Sequence, residues 1–143
     1  MVPVERTFSL HVPSSTENLV MIREFVTSIG EQAGLPPAEI MKLETAVDEA
    51  CSNVIEHAYG SDVTKEVSVR ATLDDQILEI TVTDTGIGFD PSTVEQKGLD
   101  KLMRGRKSGG LGMLLMRKFM DTVDYSISSD RNELRMVKRL KKE

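Results

Sequence analysis

The middle of the chain alternates between apolar and polar residues, and this feature constrains the fold more than any other. Apolar residues occupy every second position before and after a short acidic turn: Val67, Val69, Ala71 and Leu73, then Leu78, Ile80 and Val82. A period of two is typical of a β-strand with one buried face. Two such runs, joined at Asp74 and Asp75, predict an antiparallel hairpin.

The segments on either side predict further strands and helices. Residues 6–12 alternate like a strand, Ser14 or Ser15 is expected to cap a helix that ends near Gly34, and a second helix is expected over residues 37–59. After an aperiodic basic stretch at residues 91–108, a helix should begin at Gly109, followed by two short strands. This order predicts an α+β two-layer sandwich, with helices on one face of a mixed, mostly antiparallel sheet.

Length and composition narrow the class of protein. At 143 residues, the chain is expected to form a single domain over residues 1–143. A net charge of -5 and the absence of Trp argue against direct binding to nucleic acid. The sequence has neither a membrane-length apolar run nor a basic-then-apolar amino terminus, so we expect a cytoplasmic protein that does not bind membranes.

The stretch "VTDTGIGFDP" places an acid at the end of the second hairpin strand. Asp84 shares the parity of Ile80 and Val82, so its carboxylate should point into the apolar layer and require hydrogen-bond donors. Gly86 and Gly88 allow the backbone to approach a flat partner closely. Asp-Thr-Gly is also good turn chemistry, so a simple strand-ending turn is the alternative. The inward parity favours a buried site that holds a ligand.

A second glycine cluster, "SGGLG", lies at the start of the helix expected from Gly109. Gly110 and Gly112 complete a flexible entry that leaves amides free to hold an anion, where the helix dipole favours negative charge. Five basic residues precede the cluster within residues 91–108. Phosphate binding is therefore favoured over a plain hinge, although the spacing is not that of a P-loop.

The second helix carries two polar residues whose chemistry is complementary. Glu49 and Asn53 are four residues apart and so share one helix face. An amide oxygen can hold Mg²⁺ while phosphate oxygens supply most of the coordination. A carboxylate one turn away could take a proton from a nucleophile. The neighbouring acids Asp48 and Glu56 are expected to form a solvated surface.

The order and spacing of these motifs resemble the GHKL ATPase superfamily, which includes gyrase, histidine kinases and MutL and has the Bergerat nucleotide-binding fold. Within it, the strings "ETAVDEACSNVIEHAYG" and "GGLGMLLMRKFMDTVDY" are similar to the bacterial anti-sigma-factor serine/threonine protein kinases. The resemblance covers nearly the whole chain. It implies that ATP and Mg²⁺ are the cofactors, and that residues 91–108 form a lid over the nucleotide.

The resemblance also implies roles for individual residues. Asp84 would accept the amino group of adenine, with Gly86 and Gly88 giving the base room. Glu49 would be the general base, and Asn53 would bind Mg²⁺. The phosphates would be held by the turn formed by Gly109, Gly110, Leu111 and Gly112. One departure concerns the last strand, where relatives commonly carry a Thr near the adenine and this chain reads Arg131-Asn132-Glu133-Leu134.

The length leaves no room for a histidine-kinase dimerisation segment, so we expect a domain that acts on a separate protein. The resemblance implies that this protein is an anti-anti-sigma antagonist with a STAS domain, that a sigma factor is a second partner, and that the chain forms a homodimer. Two alternatives remain. One is an ATP-binding partner-switching module with little kinase activity, and the other is a metal-dependent hydrolase that uses Glu49 and Asp84.

Overall fold

The computed structural model describes residues 4–86, 109–128 and 130–140. The strands there are β1 (Arg6–Pro13), β2 (Glu66–Leu73), β3 (Ile77–Asp84), β4 (Thr122–Ile127) and β5 (Asn132–Arg139). The helices are α1 (Leu19–Gln32), α2 (Pro37–Asn53) and α3 (Gly109–Phe119), with a 3-10 turn at Thr16–Asn18 and a π-helical turn at Val54–Ala58. The predicted order of strands and helices is confirmed. Gly88 and the proposed lid at residues 91–108 lie outside the described residues.

The strands form one five-stranded sheet in the order β1-β2-β3-β5-β4. The predicted hairpin is confirmed: β2 and β3 are antiparallel neighbours, and Leu73 lies opposite Leu78. The Asp74 carboxylate stabilises their turn by accepting the backbone N–H groups of Gln76 and Ile77 at 2.7 and 2.9 Å. Every pairing between the described strands is antiparallel, so the parallel component of a mixed sheet does not occur in this part of the chain.

The hydrophobic core lies between the helices and one face of the sheet. The apolar positions of β2 and β3 are buried there, together with the stripe of α2 that the sequence predicts: Leu43, Val47, Ala50 and Val54. The opposite face of the sheet is polar, and Arg135 there forms ion pairs with Glu79 at 2.5 Å and with Asp124 at 3.4 Å. The predicted arrangement of helices on one face is thus confirmed.

Two local predictions differ from the structure. Ser15 occupies the position before the 3-10 turn, but no side-chain hydrogen bond caps that turn or α1. The Ser14 hydroxyl instead donates to the carbonyl of Asp62 at 2.5 Å and accepts the N–H of Lys65 at 3.1 Å. The second helix also changes its winding near its end, because the five residues after Asn53 form a π-helical turn before Gly60 adopts a φ of 59°.

The predicted lack of a membrane segment can be compared only with the helices that the structure describes. None of these is both long enough and apolar enough to cross a bilayer.

Candidate nucleotide-binding site

Asp84 ends β3 as a buried carboxylate, as its parity in the sequence predicts. It is 4% exposed and lies opposite Asn132 of β5 in the antiparallel register. The Asn132 side-chain amide donates to Asp84 Oδ1 at 2.9 Å, and the Gly86 N–H donates to the same oxygen at 2.8 Å. Two donors therefore satisfy one carboxylate oxygen, which offsets much of the cost of burying the acid.

Asn132 is a functional candidate that the sequence analysis missed, because it mentions this residue only as a departure from the family pattern. A signal was nevertheless present. Asn132 has the same parity as Leu134 and Met136, whose side chains face the core. A polar residue at an inward position of a strand needs a buried partner, and Asp84 is the inward-facing polar residue of β3.

Tyr59 is a second residue that the sequence analysis did not single out. Its hydroxyl donates to the carbonyl of Glu66 at 2.7 Å and accepts the backbone N–H of Thr85 at 3.0 Å. The phenol thus connects the end of the π-helical turn that follows α2 to the start of β2 and to the turn after Asp84. Tyr59 lies within the string "ETAVDEACSNVIEHAYG", but its role depends on contacts between segments that are distant in sequence.

Gly86 lies very close to Ala58, the last residue of the π-helical turn. A Cβ atom at this position would lie 2.4 Å from the carbonyl oxygen and 2.7 Å from the carbonyl carbon of Ala58. Both atoms belong to the backbone, so neither could move aside cheaply. The glycine is therefore required for packing within the protein, whether or not it also gives a base room.

Glu49 lies half-buried on α2, and its environment disfavours a negative charge. Burial, followed by the negative charges of Asp48 and Glu56, raises the pKa of Glu49 from 4.5 to about 7. Asp48 itself forms an ion pair with Arg23 of α1 at 2.7 Å. A carboxyl group with a pKa near neutrality suits a general base, because it accepts a proton readily and a substantial fraction of it is ionised near pH 7.

Asn53 is buried and is the last residue of α2, one turn after Glu49. The π-helical turn begins immediately after it, and the Tyr59 N–H bonds to the carbonyl of Val54 at 2.9 Å. Such turns are rare and occur frequently at functional sites. Here the π-helical turn lies between Asn53, on the helix face that also carries Glu49, and Tyr59, which contacts the turn after Asp84.

α2 contacts the two elements that carry the other predicted motifs. It contacts β3, which ends in Asp84, and it also contacts α3, whose first residues are the glycine cluster. Gly109, Gly110, Leu111 and Gly112 all lie in the first turns of α3, at the predicted helix start. Within the described part of the chain, no three His, Cys, Asp or Glu side chains form a group that could hold a metal ion.

Comparison with known proteins agrees with this architecture. The family model described as "Histidine kinase-like ATPase domain" matches residues 12–138. The serine-protein kinase RsbW of Bacillus licheniformis is 38% identical over 122 residues, which are 82% of this chain and 76% of that protein. RsbW of Bacillus subtilis is 34% identical over 122 residues, 80% of this chain and 74% of the relative. The chain belongs to this family of RsbW-type, histidine kinase-like ATPase domains.

Solved structures support the same fold at low sequence identity. The crystal structure of the RsbU and RsbW domains of a Mycobacterium tuberculosis protein matches 96% of this chain with a TM-score of 0.69 and 15% identity. This chain spans 33% of the length of that one. A chain of the SiaB-SiaC complex from Pseudomonas aeruginosa matches 91% of this chain, and 88% of its own length, with a TM-score of 0.63 and 14% identity. These structures confirm the predicted fold, and the family model and the RsbW relatives confirm the family resemblance.

Proposed function

We propose that this protein is an ATP-dependent serine/threonine protein kinase that acts as an anti-sigma factor. It would phosphorylate an anti-anti-sigma antagonist with a STAS domain and sequester a sigma factor while the antagonist is phosphorylated. The observation that carries the kinase assignment is Glu49, a half-buried carboxyl group with a pKa of about 7 on α2, the helix that contacts both β3 and α3. Nucleotide binding alone does not require a proton acceptor at this position.

The residues present fit ATP and Mg²⁺ in their donor chemistry. Asp84 has one carboxylate oxygen, Oδ2, to which none of the described residues donates, so it can accept an exocyclic amino group. Asn53 would supply an oxygen ligand to Mg²⁺, and the glycine-rich start of α3, from Gly109 to Gly112, would hold phosphates. When bound, ATP supplies the phosphoryl group that is transferred, and Mg²⁺ neutralises part of its negative charge.

Glu49 would accept the proton of the serine or threonine hydroxyl that attacks the phosphoryl group. Partial burial, which raises the pKa of Glu49, makes the carboxylate readier to take up that proton. Asp84 and its donors would fix the base end of the nucleotide. This division separates binding from chemistry, because Asp84 and Asn53 act on affinity whereas Glu49 acts on the rate.

The partners and the cellular setting belong to the same proposal. The RsbW name of the relatives supports a partner-switching kinase, and we expect the protein to act in the cytoplasm as a single ATPase domain over residues 1–143. A pair of identical chains and a lid at residues 91–108 stay predictions from the family resemblance.

The test is phosphotransfer with purified components. Wild-type protein, labelled ATP and Mg²⁺ are incubated with the STAS-domain proteins of the same genome, and the label is located by mass spectrometry. We expect one of them to be labelled on serine or threonine by the wild type and not by Glu49→Gln. Glu24→Gln, which removes a negative charge from an exposed position of α1, is the matched control and should retain activity. If the wild type binds an antagonist in the presence of ATP but never labels it, the partner-switching module without kinase activity is the better description.

A further inference from the structure

The Asn132 side chain holds the turn after β3 through two hydrogen bonds from a single amide group. Its nitrogen donates to Asp84 Oδ1 and to the carbonyl of Gly86, both at 2.9 Å. Both partners are acceptors only, so the NH₂ end of the amide must face them and its orientation is fixed by chemistry. Asn132 is 3% exposed, and the two bonds therefore form out of contact with bulk water.

This clamp makes the two oxygens of the Asp84 carboxylate unequal. Oδ1 receives the Asn132 amide and the Gly86 N–H, whereas Oδ2 receives no donor from the described residues. A carboxylate with both oxygens available can accept two parallel N–H groups, as it does from a guanidinium group. With Oδ1 occupied, Asp84 can offer only a single acceptor to a ligand.

The distinction matters for purine bases, which differ in what their edges donate. Adenine presents an exocyclic amino group at C6, a donor that one carboxylate oxygen can accept. Guanine presents a carbonyl at C6, which would face Oδ2 as acceptor against acceptor. Its N1–H and N2–H groups form a parallel pair of donors that needs both carboxylate oxygens. A free Asp84 could satisfy that pair, but a clamped Asp84 cannot.

We propose that Asn132 is a specificity-determining residue that positions Asp84 to select adenine and reject guanine. It acts through Asp84, by keeping Oδ1 occupied and Oδ2 directed to a single donor. The proposal rests on the proposed nucleotide site at Asp84. It gives Asn132 a function beyond stabilising the fold, because a purely structural residue would alter the affinities for both purines alike.

Three variants separate these possibilities. Asn132→Ala removes both donated hydrogen bonds. Asn132→Thr retains one donor hydrogen, which can reach only one of the two acceptors at a time. Asn18→Ala is the matched control, because the side-chain amide of Asn18 also donates a hydrogen bond, at 2.9 Å to the carbonyl of Pro13, but this bond is exposed and lies outside the Asp84 turn.

The measurement is calorimetric titration of each protein with Mg-ADP and with Mg-GDP. A hydrogen bond to a charged group is worth roughly 10- to 100-fold in affinity. We therefore expect the ratio of the GDP to the ADP dissociation constant to fall by about tenfold or more in Asn132→Ala and by less in Asn132→Thr. The ratio should be unchanged in Asn18→Ala. If Asn132→Ala does not fold, Asn132→Thr carries the test through the same ratio.

The outcomes distinguish this inference from the function on which it rests. If the wild type prefers ADP and both folded Asn132 variants keep that ratio, the inference is overturned while the nucleotide site stands. A common loss of affinity for both nucleotides also overturns it. If the wild type binds neither nucleotide, the proposed function fails, and the inference fails with it.

Discussion

Glu49→Gln should make the folded protein more stable at alkaline pH while abolishing phosphotransfer. The pKa of Glu49 is raised from 4.5 to about 7, so its ionised form is the less favourable one in the folded state. The stability that protonated Glu49 contributes is complete below pH ~4.5 and is lost as the pH rises through ~7. Glutamine has nearly the same shape and does not titrate, so the variant avoids this loss.

The size of the effect follows from the pKa shift. Each pKa unit corresponds to roughly 1.4 kcal/mol, so the shift from 4.5 to about 7 sets an upper limit of ~3 kcal/mol. Glu49 is only half-buried, and solvent screens part of its interaction with the neighbouring acids. We therefore expect the free energy of unfolding of Glu49→Gln to exceed that of the wild type by about 1–2 kcal/mol at pH 8. The difference should be clearly smaller at pH 5.

Urea unfolding of both proteins at pH 5 and pH 8 measures this difference. Glu24→Gln, at an exposed position of α1, controls for the loss of one surface charge. The second readout is the phosphotransfer rate of the wild type, which should rise with pH through ~7 as Glu49 loses its proton. Glu56→Gln should move that rise to lower pH, because the charge of Glu56 contributes to the raised pKa.

Two results would refute the reasoning. Equal stability of Glu49→Gln and the wild type at both pH values would mean that the folded protein does not disfavour the Glu49 charge. Phosphotransfer by Glu49→Gln at the wild-type rate would mean that another group accepts the proton. Since the two readouts are independent, a stabilised but fully active variant would retain the electrostatic argument and reject the general base.

Three further variants test the surrounding structure. Gly86→Ala should lower the free energy of unfolding by ~1–3 kcal/mol, because its Cβ would lie 2.4 Å from the Ala58 carbonyl oxygen; an unchanged urea midpoint would contradict this close contact. Tyr59→Phe should cost ~1–3 kcal/mol in the same assay, since its hydroxyl partners two backbone groups, and a neutral effect would argue against the bridge. Asn53→Ala should weaken nucleotide binding chiefly when Mg²⁺ is present, as calorimetry with and without the metal would reveal; an equal loss in both conditions would assign Asn53 to packing.

The sequence predicted the elements of the fold because their signals are local. The alternation around Asp74 predicted the hairpin, and the stripe containing Leu43 and Val47 predicted the buried face of α2. The predicted helix cap was wrong because the Ser14 hydroxyl instead bonds to the backbone of Asp62 and Lys65, which are 48 and 51 residues further along the chain. The π-helical turn was not predictable either, since Val54–Ala58 continues the helical pattern and its winding depends on packing.

The candidate site divides in the same way. Asp84 could be found from the sequence because its parity within β3 alone indicates that it is buried. The parity of Asn132 indicates only that it is buried, and neither Asn132 nor Tyr59 could be assigned to Asp84, because each acts through a contact between distant segments. Asn132 meets Asp84 only through the β3–β5 register, and Tyr59 and Thr85, which share a hydrogen bond, are 26 residues apart in sequence.

The two proposed functional acids, Asp84 and Glu49, have opposite surroundings in the folded protein. Asp84 is the more buried, yet it receives N–H donors from Asn132 and Gly86 that compensate for its charge. No described residue donates a hydrogen bond to Glu49, and the charged groups that raise its pKa, Asp48 and Glu56, are themselves negative. An acid supplied with donors suits a permanent acceptor, whereas one surrounded by negative charge gains most from taking up a proton. The difference between holding a base and accepting a proton therefore depends on the neighbours of each acid, since both are ordinary carboxyl groups in the sequence.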